Sequence, residues 1–407
     1  MLLQALPMVF VLMGLALYTV LGGADFGAGF WQLFAGRDHG GKEVREFAHN
    51  AVGPIWEANH VWLIFVLTVF WTAYPTAFAS IASTLSVPLF IALLGIIFRG
   101  AAYALRSGAR SSRELGRVDT IFSLSSILTP FALGAAVGGI ATNRVPVGNA
   151  SGHLFSSWLN GTSVFVGVLS VASCAYLAAV NLAADAARDE QSALERAFRL
   201  RALGAGVCAG ALSIGGIFVV NADRHALFHS LMTGRALIAV IASFVAGLAT
   251  LVLVHTRRYE PARYCSALAV ASVIAGWALS RWPTILPGLT VEQAAAGHDT
   301  LVWVVASVLG GAVVLFPALG LLFGLALTGR FSETASDASE HPGGWMPRVR
   351  AGLLTRAALA FLIAGFGLLD VADARWAHAV GVVCLLAFVV LGFRAVIFVA
   401  LGATAQR

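Results

Sequence analysis

Eleven long apolar runs dominate this chain and leave it few folds to choose from. They lie at 4–22, 59–80, 84–105, 120–142, 159–184, 202–220, 235–254, 264–281, 301–328, 352–370 and 377–401. Crossing the hydrocarbon of a bilayer takes roughly 20 such residues in an α-helix. Lipid offers no water to a bare backbone, and the runs lack the alternation of barrel strands, so helices are expected. Composition agrees: 59% of residues are apolar and only 11% charged, against roughly a quarter charged in soluble domains. A water-soluble globular protein is excluded. The 26 Lys and Arg residues are scattered over many short segments, which excludes a nucleic-acid-binding face. The expected fold is an all-α, polytopic transmembrane helix bundle in a lipid bilayer.

Basic residues then orient the bundle. The loops that follow odd-numbered helices, with the C-terminus, carry 20 Lys/Arg, and the loops on the other side carry 5. Positive charge marks the cytoplasmic face. The N-terminus is therefore expected outside and the C-terminus inside the bacterial cytoplasmic membrane. Residues 1–22 have no basic leader and read as a retained first helix. Cys174, Cys208, Cys265 and Cys384 all sit in apolar runs without a CxxC partner, so no disulfide framework or zinc site is expected. Glycine pairs at 134/138, 206/210 and 320/324 suit close helix packing. Residues 332–344, SETASDASEHPGG, read as a flexible linker ahead of the last two runs.

Ionisable groups near membrane depth are costly, so each is a functional candidate. Asp25 sits in GGADFGAG, Glu57 in PIWEANHVWL, and Arg99 closes the third run on the same side. Three consecutive runs thus bring two carboxylates and a guanidinium to one membrane level, which suits an ion-paired cluster or a proton uptake point. A simpler reading marks helix ends: Glu57 at a helix N-terminus is favoured by the macrodipole anyway, and Trp56 and Trp62 suit the interface. His225 and His229 are four apart but lack a third ligand nearby. No HExxH, CxxCH, P-loop or GxGxxG is present, so metal and nucleotide sites are not expected in this chain. After Arg281, Pro283 and Pro287 stop a helix and force an extended loop. Thr290 is placed to cap a short helix from Val291.

Several of these stretches resemble the subunit II family of the cytochrome bd-type quinol oxidases. They are Ala24–Gly29, Asn50–Ile64, Ala73-Tyr74-Pro75, Ile97–Tyr103 with Arg106, and the Trp282-Pro283 to Leu286-Pro287 loop, in family order over residues 1–330. The resemblance implies nine helices in residues 1–330, a cytoplasmic linker at 331–351, and an extra helix pair at 352–407 without a family counterpart. It implies a subunit of a respiratory enzyme that oxidises quinol and reduces dioxygen to water, drawing protons from the cytoplasm. The haem b and haem d type groups and the quinol site belong to the partner subunit I. This chain would ligate none of them. A structural quinone and small accessory membrane subunits are further associates the family allows.

Carried over by position, Asp25 and Glu57 match carboxylates of the proton-uptake side, with His60 beside them. Trp56, Asn59, Trp62 and Arg99 match residues near the subunit contact. This chain has Glu57-Ala58-Asn59-His60 where the family usually has Asp-Gly-Asn and then Gln or Glu. That wording is similar to the cyanide-insensitive branch, and it adds an imidazole that can titrate near neutrality. A secondary transporter is the competing reading. Transporters bind substrate near the midplane, whereas helices 1–9 hold almost no midplane charge.

Overall fold

The computed structural model describes residues 2–36, 39–52, 55–109, 111–327, 353–371 and 375–402. The side chains of Trp56 and Glu57 and the linker at 331–351 lie outside the described residues. The helices are α1 (Leu2–Leu17), α2 (Gly23–Leu33), α3 (His39–Val52), α4 (Ile55–Ala73), α5 (Pro75–Thr84), α6 (Ser86–Arg106) and α7 (Ser112–Ala141). They continue with α8 (Gly161–Arg188), α9 (Ser192–Asp223), α10 (His225–Leu231), α11 (Gly234–His255) and α12 (Tyr259–Arg281). A hairpin of β1 (Thr284–Leu286) and β2 (Leu289–Thr290) leads into α13 (Val291–Ala294) and α14 (His298–Leu327). The last two are α15 (Leu353–Val371) and α16 (Arg375–Gly402).

Among the described residues, eight segments are long and apolar enough to cross a membrane: Leu2–Leu33, Ser86–Arg106, Ser112–Ala141, Gly161–Arg188, Ser192–Asp223, Gly234–His255, Tyr259–Arg281 and His298–Leu315. Shorter apolar helices at Asn59–Ala73, Arg356–Gly365 and Trp376–Gly392 fall on the other expected runs. The run expected at 59–80 is broken at Tyr74 (φ −136°), where Pro75 opens α5. A residue before proline is pushed out of the helical region.

The first helix is longer than expected. Gly22-Gly23 suggests a stop at 22, yet α1 passes through one π turn (Tyr18–Gly22) into α2 and ends at Leu33. Both glycines keep right-handed helical dihedrals. Glycine weakens a helix by roughly 1 kcal/mol, and here packing outweighs it. Asp25 is therefore not at a helix end but two turns inside one.

Contacts divide the chain into two units, Met1–Val314 and Leu315–Arg407. In the first, α6–α7, α8–α9 and α11–α12 pair as hairpins, α7 packs on α8, α1 on α4, and α2 against both α7 and α8. Small residues permit the closest approaches. A Cβ on Gly27 would collide with the Cys174 main-chain carbonyl of α8, and one on Gly29 with Ser126 of α7. Gly134 and Gly138 likewise face α8, at Ser170 and Ser163, whereas Gly210 and Gly320 meet nothing within 4 Å.

Tyr74 ties α4 back to α1. Its fully buried hydroxyl donates to the Gln4 carbonyl at 2.6 Å and accepts the Met8 N–H at 2.9 Å. The phenol is thus spliced into one i, i+4 step of α1, beside Pro7, which has no N–H to give. In the loop after α12, Arg281 donates to the Ala141 and Ile285 carbonyls and to Asn143. Thr290 caps α13 as expected, in a reciprocal box with Gln293. In the second unit, α15 and α16 pack through Ala358, Gly365, Ala377 and Cys384.

Candidate functional site

The site forms where α2 is wedged between α4, α6, α7 and α8. The GGADFGAG stretch has small residues on the sides that meet α7 and α8, so Asp25 is carried inward with the backbone. Asp25 remains half-buried. Asn59 of α4, 5% exposed, donates its side-chain amide to Asp25 Oδ2. Arg99 of α6 is 1% exposed. It donates Nη2 to the Asp25 main-chain carbonyl at 2.8 Å and Nε to Ser126 Oγ of α7 at 3.0 Å. Its third nitrogen, Nη1, has no hydrogen-bond partner among the described residues.

A guanidinium this deep needs compensation, because an unpaired buried charge is strongly penalised. Two aromatic rings supply part of it. The Arg99 Cζ lies 4.8 Å from the Phe26 ring centroid and 4.9 Å from that of Phe122. The planar cation is thus held between two π faces. Asp25 is close enough to contribute attraction without a direct bond between the two side chains.

His60 sets its ring edge-on to Tyr18 and Phe26, each at 5.9 Å between centroids. Trp62 packs against the buried cluster of Tyr18, Phe26 and Cys174 and meets Phe65 edge-on at 6.2 Å. The structure thus gathers Asp25, Asn59, His60, Trp62 and Arg99 around α2. Glu57 and Trp56 are carried on α4 within one turn of Asn59, with side chains outside the described residues. His225 and His229 stand apart on α10. Among the described residues no group of three or more His, Cys, Asp or Glu is placed to hold a metal.

Sequence reasoning missed Ser126, Phe26, Phe122 and Tyr18. A signal for Ser126 was present: Ser123, Ser126 and Thr129 recur at helical spacing within the fourth apolar run, and all three are buried. Nothing marked the two phenylalanines among 26 in the chain. Outside the pocket, Arg106 pairs with Asp119 at 2.8 Å, joining α6 to α7. Across the bundle, Asp223 accepts from Arg144 at 3.1 Å and from Thr162 at 2.7 Å.

The profile of the family described as cytochrome bd terminal oxidase subunit II matches residues 3–326. Cytochrome bd ubiquinol oxidase subunit 2 of Bacillus subtilis is 29% identical over 160 residues, 39% of this chain and 46% of that protein. Cytochrome bd-I ubiquinol oxidase subunit 2 of Escherichia coli K12 is 28% identical over 161 residues, 38% of this chain and 41% of that protein. The matched stretch therefore spans less than half the length of either relative. A chain in the structure of bd oxidase from Geobacillus thermodenitrificans superposes with TM-score 0.65 at 24% identity, over 81% of this chain and 99% of that one. That likeness is one of fold.

Proposed function

The chain belongs to the cytochrome bd terminal oxidase subunit II family, and from that premise we propose that it is the non-haem-ligating subunit of a respiratory quinol oxidase. In this reading its partner is a haem-bearing subunit I. The partner holds the haems and the quinol site, and the complex reduces dioxygen to water. This chain stabilises the partner and feeds it protons from the cytoplasm.

The observation that carries the proton role is the bonding of Asp25. Its carboxylate accepts from Asn59, while Arg99 bonds its main chain. An Arg locked onto the carboxylate would hold it ionised. Here the carboxylate's side-chain partner is a neutral amide, which supports reading it as a group that takes up and releases a proton during turnover. Glu57, two residues before Asn59 on α4, is a second carrier in the same proposal, with His60 beside it. Trp62 packs on the Tyr18–Phe26 cluster and Arg99 bonds the Asp25 main chain, and with Trp56 and Asn59 they are read as the support of the subunit contact. The excess of basic residues in the loops at this end supports a cytoplasmic position for it.

The test is co-purification with the partner subunit. Haem absorption should travel with the pair, and quinol-driven oxygen consumption should fall in Asp25→Asn with haem content kept. Full turnover in the Asp25→Asn, Glu57→Gln double variant would show that both carboxylates only mark helix positions.

A further inference from the structure

Three groups on α2, α3 and α6 have buried polar atoms without a hydrogen-bond partner among the described residues. Gln32 is 2% exposed, yet neither its amide nitrogen nor its amide oxygen has a hydrogen-bond partner. Arg99 Nη1 and His49 Nδ1 are buried and unpartnered too. Leaving such groups unsatisfied forfeits the hydration they have in the unfolded chain. Native interiors meet that need with water where protein does not. Three such groups in one junction mark a polar seam through an otherwise apolar contact.

The seam has a direction. Asp25, Gly29 and Gln32 follow the i, i+4, i+7 spacing that keeps residues on one face of a helix. Gln32 lies about 10 Å along α2 from Asp25, toward the α2–α3 connection. Between them, Gly29 faces Ser126 and Phe122 of α7, and Ser126 is the residue that Arg99 bonds. The Phe122 ring lies 4.9 Å from the Arg99 Cζ and 5.8 Å from the His49 ring. His49 is half-exposed, so it stands where this seam meets the outside. The groups around it are Tyr103, Arg99 and Arg106 of α6 and Asp119 of α7, the last two paired with each other.

We propose that Gln32 and His49 form the water-filled route by which protons reach Asp25, with His49 at its mouth and Gln32 midway. The proposal rests on the proton-feeding reading given above and adds its path. A glutamine amide both donates and accepts, so it can hold a water file without becoming charged. Burial, and then Arg106, holds the His49 imidazole down at about 4. It is neutral at physiological pH, and one ring nitrogen accepts while the other donates. The proton arrives at the outer water, shifts along hydrogen bonds past Gln32, and ends on the Asp25 carboxylate. No group on the route is oxidised or reduced.

The experiment uses the assembled two-subunit oxidase, with quinol-driven oxygen consumption read from pH 6 to 9. Gln32→Met keeps the side-chain length and removes both hydrogen-bonding atoms. His49→Phe keeps a ring and closes the mouth. Each should slow turnover about tenfold, ~1.4 kcal/mol of barrier, and steepen the decline toward high pH, with haem content unchanged. Gln32→Glu should restore most of the rate. If Gln32→Met fails to assemble, His49→Phe and Gln32→Glu still carry the test. Wild-type rates in Gln32→Met and His49→Phe, in a complex slowed by Asp25→Asn, would overturn the route and leave the Asp25 feed standing. Wild-type rates in all three would overturn the feed as well.

Discussion

Arg99 donates to the main-chain carbonyl of Asp25, at 2.8 Å, and not to its carboxylate. The cation therefore fixes where Asp25 sits while leaving its acid group to Asn59.

Arg99→Lys should not be conservative. Lysine keeps the charge but lacks the fork that reaches Ser126 and the Asp25 carbonyl together, and it sits less well between Phe26 and Phe122. A cost of ~2–4 kcal/mol is expected, as for a buried charge that loses hydrogen bonds. It should be read as a lower thermal midpoint of the purified complex and partial loss of haem. Asn59→Ala, by contrast, should leave assembly intact and change the pH dependence of turnover.

Gly27→Val should prevent assembly. The added side chain has no free volume, because even a Cβ there meets the Cys174 carbonyl of α8. The control is Gly116→Val, at a position where a Cβ meets nothing within 4 Å. Membrane insertion is followed by an epitope tag, and pairing by pull-down of the haem subunit. Gly116→Val should pair normally and Gly27→Val should not.

Tyr74→Phe removes one hydroxyl and should cost ~1–3 kcal/mol. It strands the Gln4 carbonyl and the Met8 N–H, which are otherwise bridged inside α1. The expected readout is a lower thermal midpoint with turnover per haem unchanged.

His49 should impose an acid limit on stability. Its folded-state value is lowered from 6.5 to about 4 by burial and then by Arg106. The unfolded chain therefore binds the proton first as pH falls. This contribution is complete above about 6.5 and is lost progressively as pH drops toward 4. His49→Asn should flatten the fall of the thermal midpoint across that window, measured against wild type at matched ionic strength.

Truncation after Arg330 should leave an assembled, active oxidase. The family profile ends at residue 326, and α15 and α16 pack closely on each other. Pull-down of the haem subunit by the truncated chain checks this. Membrane insertion without pairing would place the helix pair in the interface.

The sequence by itself determined the solvent of this protein. Long apolar runs with so little charge fold only as helices in lipid, because backbone groups there must bond within their own segment. Its motifs determined the family, and charge scarcity singled out Asp25 and Arg99, since a membrane helix carries such groups only at some cost. Sequence reading ended the first helix at residue 22, where the apolar run gives way to the GGADFGAG stretch. The packing of Gly23 and Gly27 against α8, which carries the helix on to Leu33, depends on residues about 150 positions away. It also gave no sign that Arg99 lies between Phe26 and Phe122, or that the Gln32 amide is buried without a hydrogen-bond partner among the described residues. Those relations are set by how closely four helices approach. That approach is decided by side-chain volumes summed over all of them, a sum that no single run of residues contains.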